Sequence, residues 1–149
     1  MNLTSKSKFF LLLTICLLAL PTLAQTALSN VTAWAVVDQK GNATAVGGQF
    51  SPASSIDLKN QDVTLVISGA NKFGFTFSKG SFTKLWFGGY VATATSSTTK
   101  IGMLLQPLRN GKWAYSAAIR GFVPGSNSAT VDLKIGDQEG SATAKLYVY

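Results

Sequence analysis

The chain has 149 residues, of which 46% are hydrophobic and 13% charged, with 13 Lys and Arg against 6 Asp and Glu, one cysteine and no histidine. This length allows one domain with its own hydrophobic core and is too short for two. The lack of histidine excludes Ser-His triads, the usual general base and the usual zinc ligand.

The first 24 residues have the pattern of a secretory signal peptide. Lys6 and Lys8 supply a positive start, the run from Phe9 to Leu20 is mostly apolar, and Ala24 follows a small residue two positions earlier. The apolar run is shorter than the ~20 residues that a membrane-spanning helix needs. We therefore predict a signal peptide at residues 1–24, a single domain at residues 25–149, export to the periplasm or the extracellular space, and no transmembrane helix in the mature chain.

Loss of the signal peptide changes the chemistry that remains. It removes the only cysteine, Cys16, and two of the 13 basic residues, so the mature chain has no thiol and keeps 11 basic residues against 6 acidic ones. These basic residues lie singly between Lys40 and Lys145. Because phosphate backbones are bound by clustered cations, we predict no nucleic-acid partner.

The mature region alternates strand and turn signals throughout. No window has the i, i+3, i+4, i+7 apolar spacing of an amphipathic helix. The series predicts an all-β fold, an antiparallel β-sandwich of roughly 8–10 short strands with no substantial helix apart from the signal peptide. The predicted strands are Val31–Val37, Ala43–Phe50, Val63–Ser68, Phe73–Phe77, Phe82–Phe87, Tyr90–Ser96, Ile101–Gln106, Trp113–Arg120, Ala129–Ile135 and Ser141–Tyr149.

Glycine and asparagine mark the turns. Gly88-Gly89 and Asn110-Gly111 both tolerate positive φ and predict two-residue hairpin turns. A two-residue turn at Asn110-Gly111 would place Met103 and Leu105 on the wet face of their strand. We therefore predict a one-residue bulge near Pro107 that returns both side chains to the aromatic face.

Alternation indicates which side chains face the core. The V-x-L-x-I pattern at residues 63–67 recurs at residues 131–135, which fits either equivalent strands in the two halves of the sandwich or a chance match between two half-buried strands. Trp34 and Trp113 are flanked by apolar alternation, so we predict that both are core residues.

The candidate binding residues lie around Gly88-Gly89. Pairing across a two-residue turn places Phe87 and Tyr90 on the core face, with Trp86 and Lys84 on the other face. Trp86 is therefore the aromatic residue best placed to be exposed, with a core or edge-covering position as the alternative. Because an exposed aromatic side chain can stack on a sugar or bind a partner, the predicted binding residues are Trp86, Lys84 and Tyr90.

The titratable groups do not form a catalytic set. A glycosidase needs two carboxylates that face each other across about 5–10 Å. The pair nearest in sequence, Asp137 and Glu139, lies in a Gly-flanked stretch, residues 136–140, that we expect to be a long, exposed turn. The same turn lacks most of the oxygen ligands that calcium requires. We predict no enzyme activity, no metal site and no cofactor.

Four short motifs lie between Phe50 and Ala144, a stretch that covers about two thirds of the chain. In its order of V-T-L-x-I, a G-S-F turn and a terminal I-G-D-x-x-G hairpin, this stretch resembles a recurring β-rich module of uncharacterised exported bacterial proteins. The resemblance implies a β fold and an unassigned function, and it supplies no catalytic residue or ligand. The matching segments are Asp62–Ile67, Gly80–Phe82, Pro107–Trp113 and Ile135–Gly140.

Three functions fit the sequence. The first is an exported, non-catalytic β-sandwich that serves as a binding or interaction module of the cell envelope or extracellular space, with an envelope protein or a polysaccharide as its partner. The second is a small outer-membrane β-barrel, because the chain ends in the alternating segment Lys145–Tyr149, although most predicted strands are shorter than the ~9–11 residues needed to cross. The third is a carbohydrate-binding module that uses Trp86 and Tyr90.

Overall fold

The computed structural model describes residues 26–149, and the predicted signal peptide at residues 1–24 lies outside them. The described part contains eleven strands, one 3₁₀ turn at Arg109–Gly111 and no α-helix, so the predicted all-β class is confirmed there. The strands are β1 (Thr26–Ala27), β2 (Trp34–Asp38), β3 (Ala43–Phe50), β4 (Val63–Ser68), β5 (Lys72–Phe77), β6 (Thr83–Lys84), β7 (Tyr90–Ser96), β8 (Thr99–Pro107), β9 (Trp113–Arg120), β10 (Ser128–Ile135) and β11 (Gln138–Val148). Strands β3, β4, β7 and β9 have the predicted bounds.

The strands form one open sheet in the order β5-β4-β10-β11-β2-β3-β9-β8-β7-β6, and β1 pairs separately with β11. The long β11 joins the two halves, because it pairs with β10 along most of its length and then with β2 through Leu146–Val148. Only Ser78–Phe82 separates the edge strands β5 and β6, and the rings of Phe77 and Phe82 meet edge-to-face at 5.3 Å. The sheet therefore curls until its edges approach each other, and two-layer sandwich packing stays a prediction.

The hydrophobic core lies on one side of the sheet, which we call the inner face, and the opposite side is the outer face. The core unites side chains from both ends of the sheet, such as Leu65 of β4 and Met103 of β8. Residues that alternate with the core positions are mostly half-buried or exposed. This is the pattern of strands with one wet face.

The two V-x-L-x-I segments are direct neighbours. In the antiparallel β4–β10 pair, Leu65 lies opposite Leu133 and Val63 lies opposite Ile135. All four side chains are at most 1% exposed. The two segments therefore do not occupy separate halves of a sandwich, because they pack against each other within one ladder.

The hairpin between β8 and β9 turns through three residues, Arg109–Gly111, and a backbone hydrogen bond of 2.7 Å between the flanking residues closes it. The predicted two-residue turn is therefore wrong. The additional residue brings Leu105 opposite Tyr115 on the inner face. The predicted shift of register is confirmed, but it arises in the turn and not from a bulge near Pro107.

A buried glutamine holds the long connection from Ser51 to Asp62. Gln138 is fully buried in β11. Its Oε1 accepts hydrogen bonds from the N–H groups of Ala53 and Ser54 at 2.8 and 3.1 Å, and its Nε2 donates to the Ser54 carbonyl at 3.3 Å. Gln138 also pairs directly across a two-residue turn, Gly136-Asp137. The prediction of a longer turn at this place is therefore wrong.

Trp34 departs from its predicted core position. It is 46% exposed, because Ala35 and Val37 occupy the inner positions of β2 and the alternate residue points to the outer face. Its indole rests over Gly47, which lies directly opposite on β3. Trp113 is on the inner face but only half-buried, packed against the margin of the core.

Candidate binding site at the β6–β7 hairpin

The β6–β7 hairpin has a three-residue loop, Trp86-Phe87-Gly88. Lys84 lies opposite Tyr90, and the Leu85 N–H donates to the Gly89 carbonyl at 2.7 Å. Gly88 has a φ of 90°, which glycine adopts without the steric cost of a side chain. Three-residue hairpins commonly place their last loop residue in this region. The predicted two-residue turn at Gly88-Gly89 is wrong.

Trp86 occupies the first position of this loop and is 95% exposed. Of the two positions that the sequence leaves open for Trp86, the structure shows the exposed one. Trp86 does not lie on a strand, because the predicted strand Phe82–Phe87 is reduced to Thr83–Lys84.

Phe87 supports Trp86 from the outer face. The two rings meet edge-to-face, with centroids 5.5 Å apart and planes at 89°. A Cβ atom placed on Gly89 would lie 2.7 Å from the Phe87 ring and 3.4 Å from the Leu104 side chain. Phe87 therefore packs over bare backbone beside Leu104, and it is 45% exposed, contrary to its predicted core position.

Lys84 and Tyr90 line a cleft on the inner side of the same hairpin. The sequence places them on opposite faces, but the three-residue loop makes them direct cross-strand partners. The cleft has a volume of about 260 Å³ and is completed by Phe82, Trp113 and the segment Ile56–Lys59. The structure thus brings two of the three predicted binding residues together and leaves Trp86 on the loop beside them.

The cleft has an aromatic wall. The rings of Tyr90 and Trp113 stack with centroids 6.1 Å apart and planes at 28°, and both are half-buried. Sequence reasoning missed Trp113 because its strand alternates like any core strand. Its position next to the β8–β9 turn, at the end of that strand, is the signal that could have indicated a place at the margin of the core.

The charged groups around the cleft are two lysines and one carboxylate. Lys59 and Lys84 line it together with Asp57. The carboxylate of Asp57 accepts hydrogen bonds from the Asn60 side chain at 2.6 Å and from the Lys59 N–H at 3.1 Å, and these bonds, the Asn60 bond first, lower its pKa. Asp57 is therefore engaged in its own turn. The cleft can hold a flat ring beside a cationic group, and its lining residues offer no pair of groups for proton transfer.

The other acidic residues singled out by sequence are on the surface. Asp137 and Glu139 are exposed, and Glu139 lies opposite Lys134 in the β10–β11 ladder. Within residues 26–149, no group of three or more acidic, histidine or cysteine side chains is placed to hold a metal ion. The same part of the chain contains no helix that is long and apolar enough to span a membrane.

Comparison with family models, with curated proteins and with solved structures finds no significant match to this chain. The resemblance to a β-rich module of exported bacterial proteins therefore stays a prediction.

Proposed function

We propose that this chain is an exported, non-catalytic binding or interaction module of the cell envelope or extracellular space, and that the Trp86-Phe87-Gly88 loop makes its main contact. The observation that carries this proposal is the 95% exposure of Trp86 on a loop supported from below. The partner is an envelope protein or a polysaccharide. The signal-peptide pattern at residues 1–24 supports the exported location.

An exposed tryptophan has much to gain from a partner. An aromatic side chain of this size buries about 200 Å². At about 25 cal/mol per Å², its transfer from water to an interface is worth on the order of 5 kcal/mol before the costs of association. Tryptophan is accordingly enriched among the residues that carry most of the energy of an interface.

The loop is held in place before any partner arrives. Its ends are joined by the Leu85–Gly89 hydrogen bond of 2.7 Å, a second bond of 3.0 Å runs from the Gly88 N–H to the Leu85 carbonyl, and Phe87 packs over Gly89. A pre-organised contact loses less conformational entropy on binding. This arrangement favours a binding surface over an incidental exposed side chain.

Retention on an affinity column tests the proposal. The full chain is expressed, purified in its exported form and immobilised as wild type, as Trp86→Ala and as Tyr149→Ala. Tyr149 is the matched control, because it is another exposed aromatic residue, at 80% exposure, away from the hairpin. Solubilised envelope material is passed over each column, and the bound protein and bound carbohydrate are measured separately.

We expect Trp86→Ala to reduce retention at least tenfold, which corresponds to a loss of about 1.4 kcal/mol of binding energy, and Tyr149→Ala to retain wild-type binding. Because Trp86 makes few contacts within the fold, the thermal midpoint of Trp86→Ala stays near that of the wild type. Equal retention by all three columns contradicts the proposal.

A further inference from the structure

The outer face of the sheet carries a second surface, a groove of about 390 Å³ across β2, β3, β9 and β8. One cross-strand row defines it: Trp34 lies opposite Gly47, Gly47 opposite Ser116, and Ser116 opposite Leu104. The indole of Trp34 forms one wall and the side chain of Leu104 the other. We call this surface the outer groove.

Trp34 is fixed in the outer groove by the glycine beside it. A Cβ atom on Gly47 would lie 2.5 and 2.7 Å from two atoms of the indole. Glycine at this position thus lets the ring rest directly on the backbone of β3. The ring stays 46% exposed, so it presents apolar area to a ligand while its underside is packed.

Two amide side chains flank the next row of the outer groove. Gln49 lies opposite Ala114, and Ala114 lies opposite Gln106, and all three residues line the groove. Each amide offers both donors and an acceptor. The floor between these groups is low, because it is formed by Gly, Ala and Ser residues. This surface suits a flat ligand rich in hydroxyl groups, which can stack on the aromatic ring and hydrogen-bond to the amides.

Positive charges outnumber negative ones at both ends of the outer groove. Lys112, the extended residue just before β9, and Arg120, the last residue of β9, alternate with the groove residues and therefore share the outer face, about 27 Å apart at the usual rise per residue. Arg120 lies opposite Lys100 of β8. Of the three acidic residues on the strands, Asp132 and Glu139 lie on β10 and β11 in the other half of the sheet. The third, Asp38 at the end of β2, lies opposite Ala43 in the same cross-strand row as Arg120, and its carboxylate accepts a hydrogen bond from the Gly41 N–H at 2.9 Å. Three basic residues thus stand against one carboxylate that is hydrogen-bonded within its own turn, and this balance favours a ligand that carries negative groups along its length.

We propose that the outer groove binds an extended acidic polysaccharide. A sugar ring stacks on Trp34, and hydroxyl groups hydrogen-bond to Gln49 and Gln106. Carboxylate groups farther along the polymer pair with Lys112 at one end and with Lys100 and Arg120 at the other. The inference rests on the proposed exported binding function for access to such a polymer, but it uses residues outside the Trp86 loop.

Affinity electrophoresis of the full chain in native gels tests this inference, with polygalacturonate as the acidic probe and dextran as the neutral probe. We expect polygalacturonate to retard the wild type and dextran to leave it unretarded. Trp34→Ala and, separately, Gln106→Ala reduce the retardation at least fivefold, and Gln106→Ala serves if Trp34→Ala does not fold. The pair Lys100→Gln/Arg120→Gln also reduces the retardation. The retardation that remains decreases less as the salt concentration rises, because fewer charge pairs are left for salt to screen.

The pair Lys72→Gln/Lys79→Gln is the control, since it removes the same charge from residues outside the outer groove. Equal losses from both pairs would reduce the effect to net charge and overturn the proposal. Absence of retardation by polygalacturonate overturns it also, as does a dimer in sedimentation that Trp34→Ala abolishes, because a second copy would then cover the groove. Trp86→Ala retains the retardation. If Trp86→Ala instead loses its retardation while Trp34→Ala is retarded like the wild type, the polysaccharide binds at the Trp86 loop. That result overturns the outer groove while the proposed function stands.

Discussion

Gln138 offers the most direct test of how the fold supports the cleft. It is fully buried, and its amide makes three hydrogen bonds to the backbone of Ala53 and Ser54. The chain continues from these residues into Ile56–Lys59, one side of the cleft. Gln138→Leu keeps a side chain of similar size and removes all three bonds. We expect it to destabilise the fold and to loosen this side of the cleft.

The magnitude follows from the two backbone N–H groups that lose their acceptor. A buried donor left without a partner costs about 1–3 kcal/mol. Ala53 and Ser54 are exposed residues, so water can replace part of the loss and each group falls at the low end of that range. The expected loss is about 2–3 kcal/mol, a large part of the 5–15 kcal/mol that stabilises a typical domain.

Urea unfolding measures this change as a lower midpoint with an unchanged slope, and hydrogen exchange follows the amides of Ala53 and Ser54. Glu139→Gln is the control, because Glu139 is the exposed neighbour of Gln138 on the same strand. A stability within about 0.5 kcal/mol of the wild type, which is the usual scatter of surface substitutions, would refute the reasoning. Unchanged exchange of the two amides would refute it independently.

Three further predictions concern the rest of the fold. Burial raises the pKa of Tyr115 to about 12, above the value near 10 of an unfolded tyrosine. The free energy of unfolding is therefore retained below pH 10 and falls by about 2–3 kcal/mol toward pH 12. Tyr115→Phe should weaken this pH dependence, measured as urea midpoints from pH 7 to 11. Gly48→Ala should cost about 2–3 kcal/mol, because its Cβ would clash with the Thr32 carbonyl and press on the Tyr115 ring at 3.0 Å, whereas Gly102→Ala, with its nearest neighbour at 3.7 Å, should stay near wild type. Asn110 has a φ of 73°, a conformation that a β-branched residue adopts only with strain. Thermal unfolding should therefore show Asn110→Val to be about 1–2 kcal/mol less stable than the wild type and Asn110→Gly to be about as stable. An equal effect of the two variants would contradict the assigned turn.

Strand positions were predictable because they depend on local alternation. The pattern V-T-L-V-I-S fixes β4 and its inner face whatever its neighbours are, and β3, β7 and β9 follow in the same way. Pairing partners depend on distant segments. The V-x-L-x-I segments at residues 63–67 and 131–135 therefore gave no hint that they lie side by side.

Turn length was the main source of error at the candidate site. Gly88-Gly89 and Asn110-Gly111 are suited to two-residue turns, yet both hairpins close around three residues. In a strand of period two, a change of one residue moves every side chain to the other face. Tyr90 and Lys84 were therefore assigned to opposite faces, although they are cross-strand partners.

The positions of two residues, Trp34 and Gln138, were predicted wrongly because contacts with residues distant in the sequence decide them. Trp34 stands in V-T-A-W-A-V-V, where both alternating sets are largely apolar, and only Gly47 on the next strand lets its ring lie on the outer face. Gln138 stands between acidic and glycine residues that are typical of an exposed turn. It is buried because the loop at Ala53 and Ser54 folds over it, which no pattern around residue 138 predicts.

The central claim is that this chain acts by binding through the loop that carries Trp86. Site-specific cross-linking tests it most directly: p-benzoylphenylalanine is placed at position 86 or, as the control, at position 149 of the full chain, and the exported protein is irradiated with intact envelope material. We predict a covalent adduct of defined mass from position 86 and none from position 149. No adduct at position 86, or equal adducts at both positions, would contradict the claim.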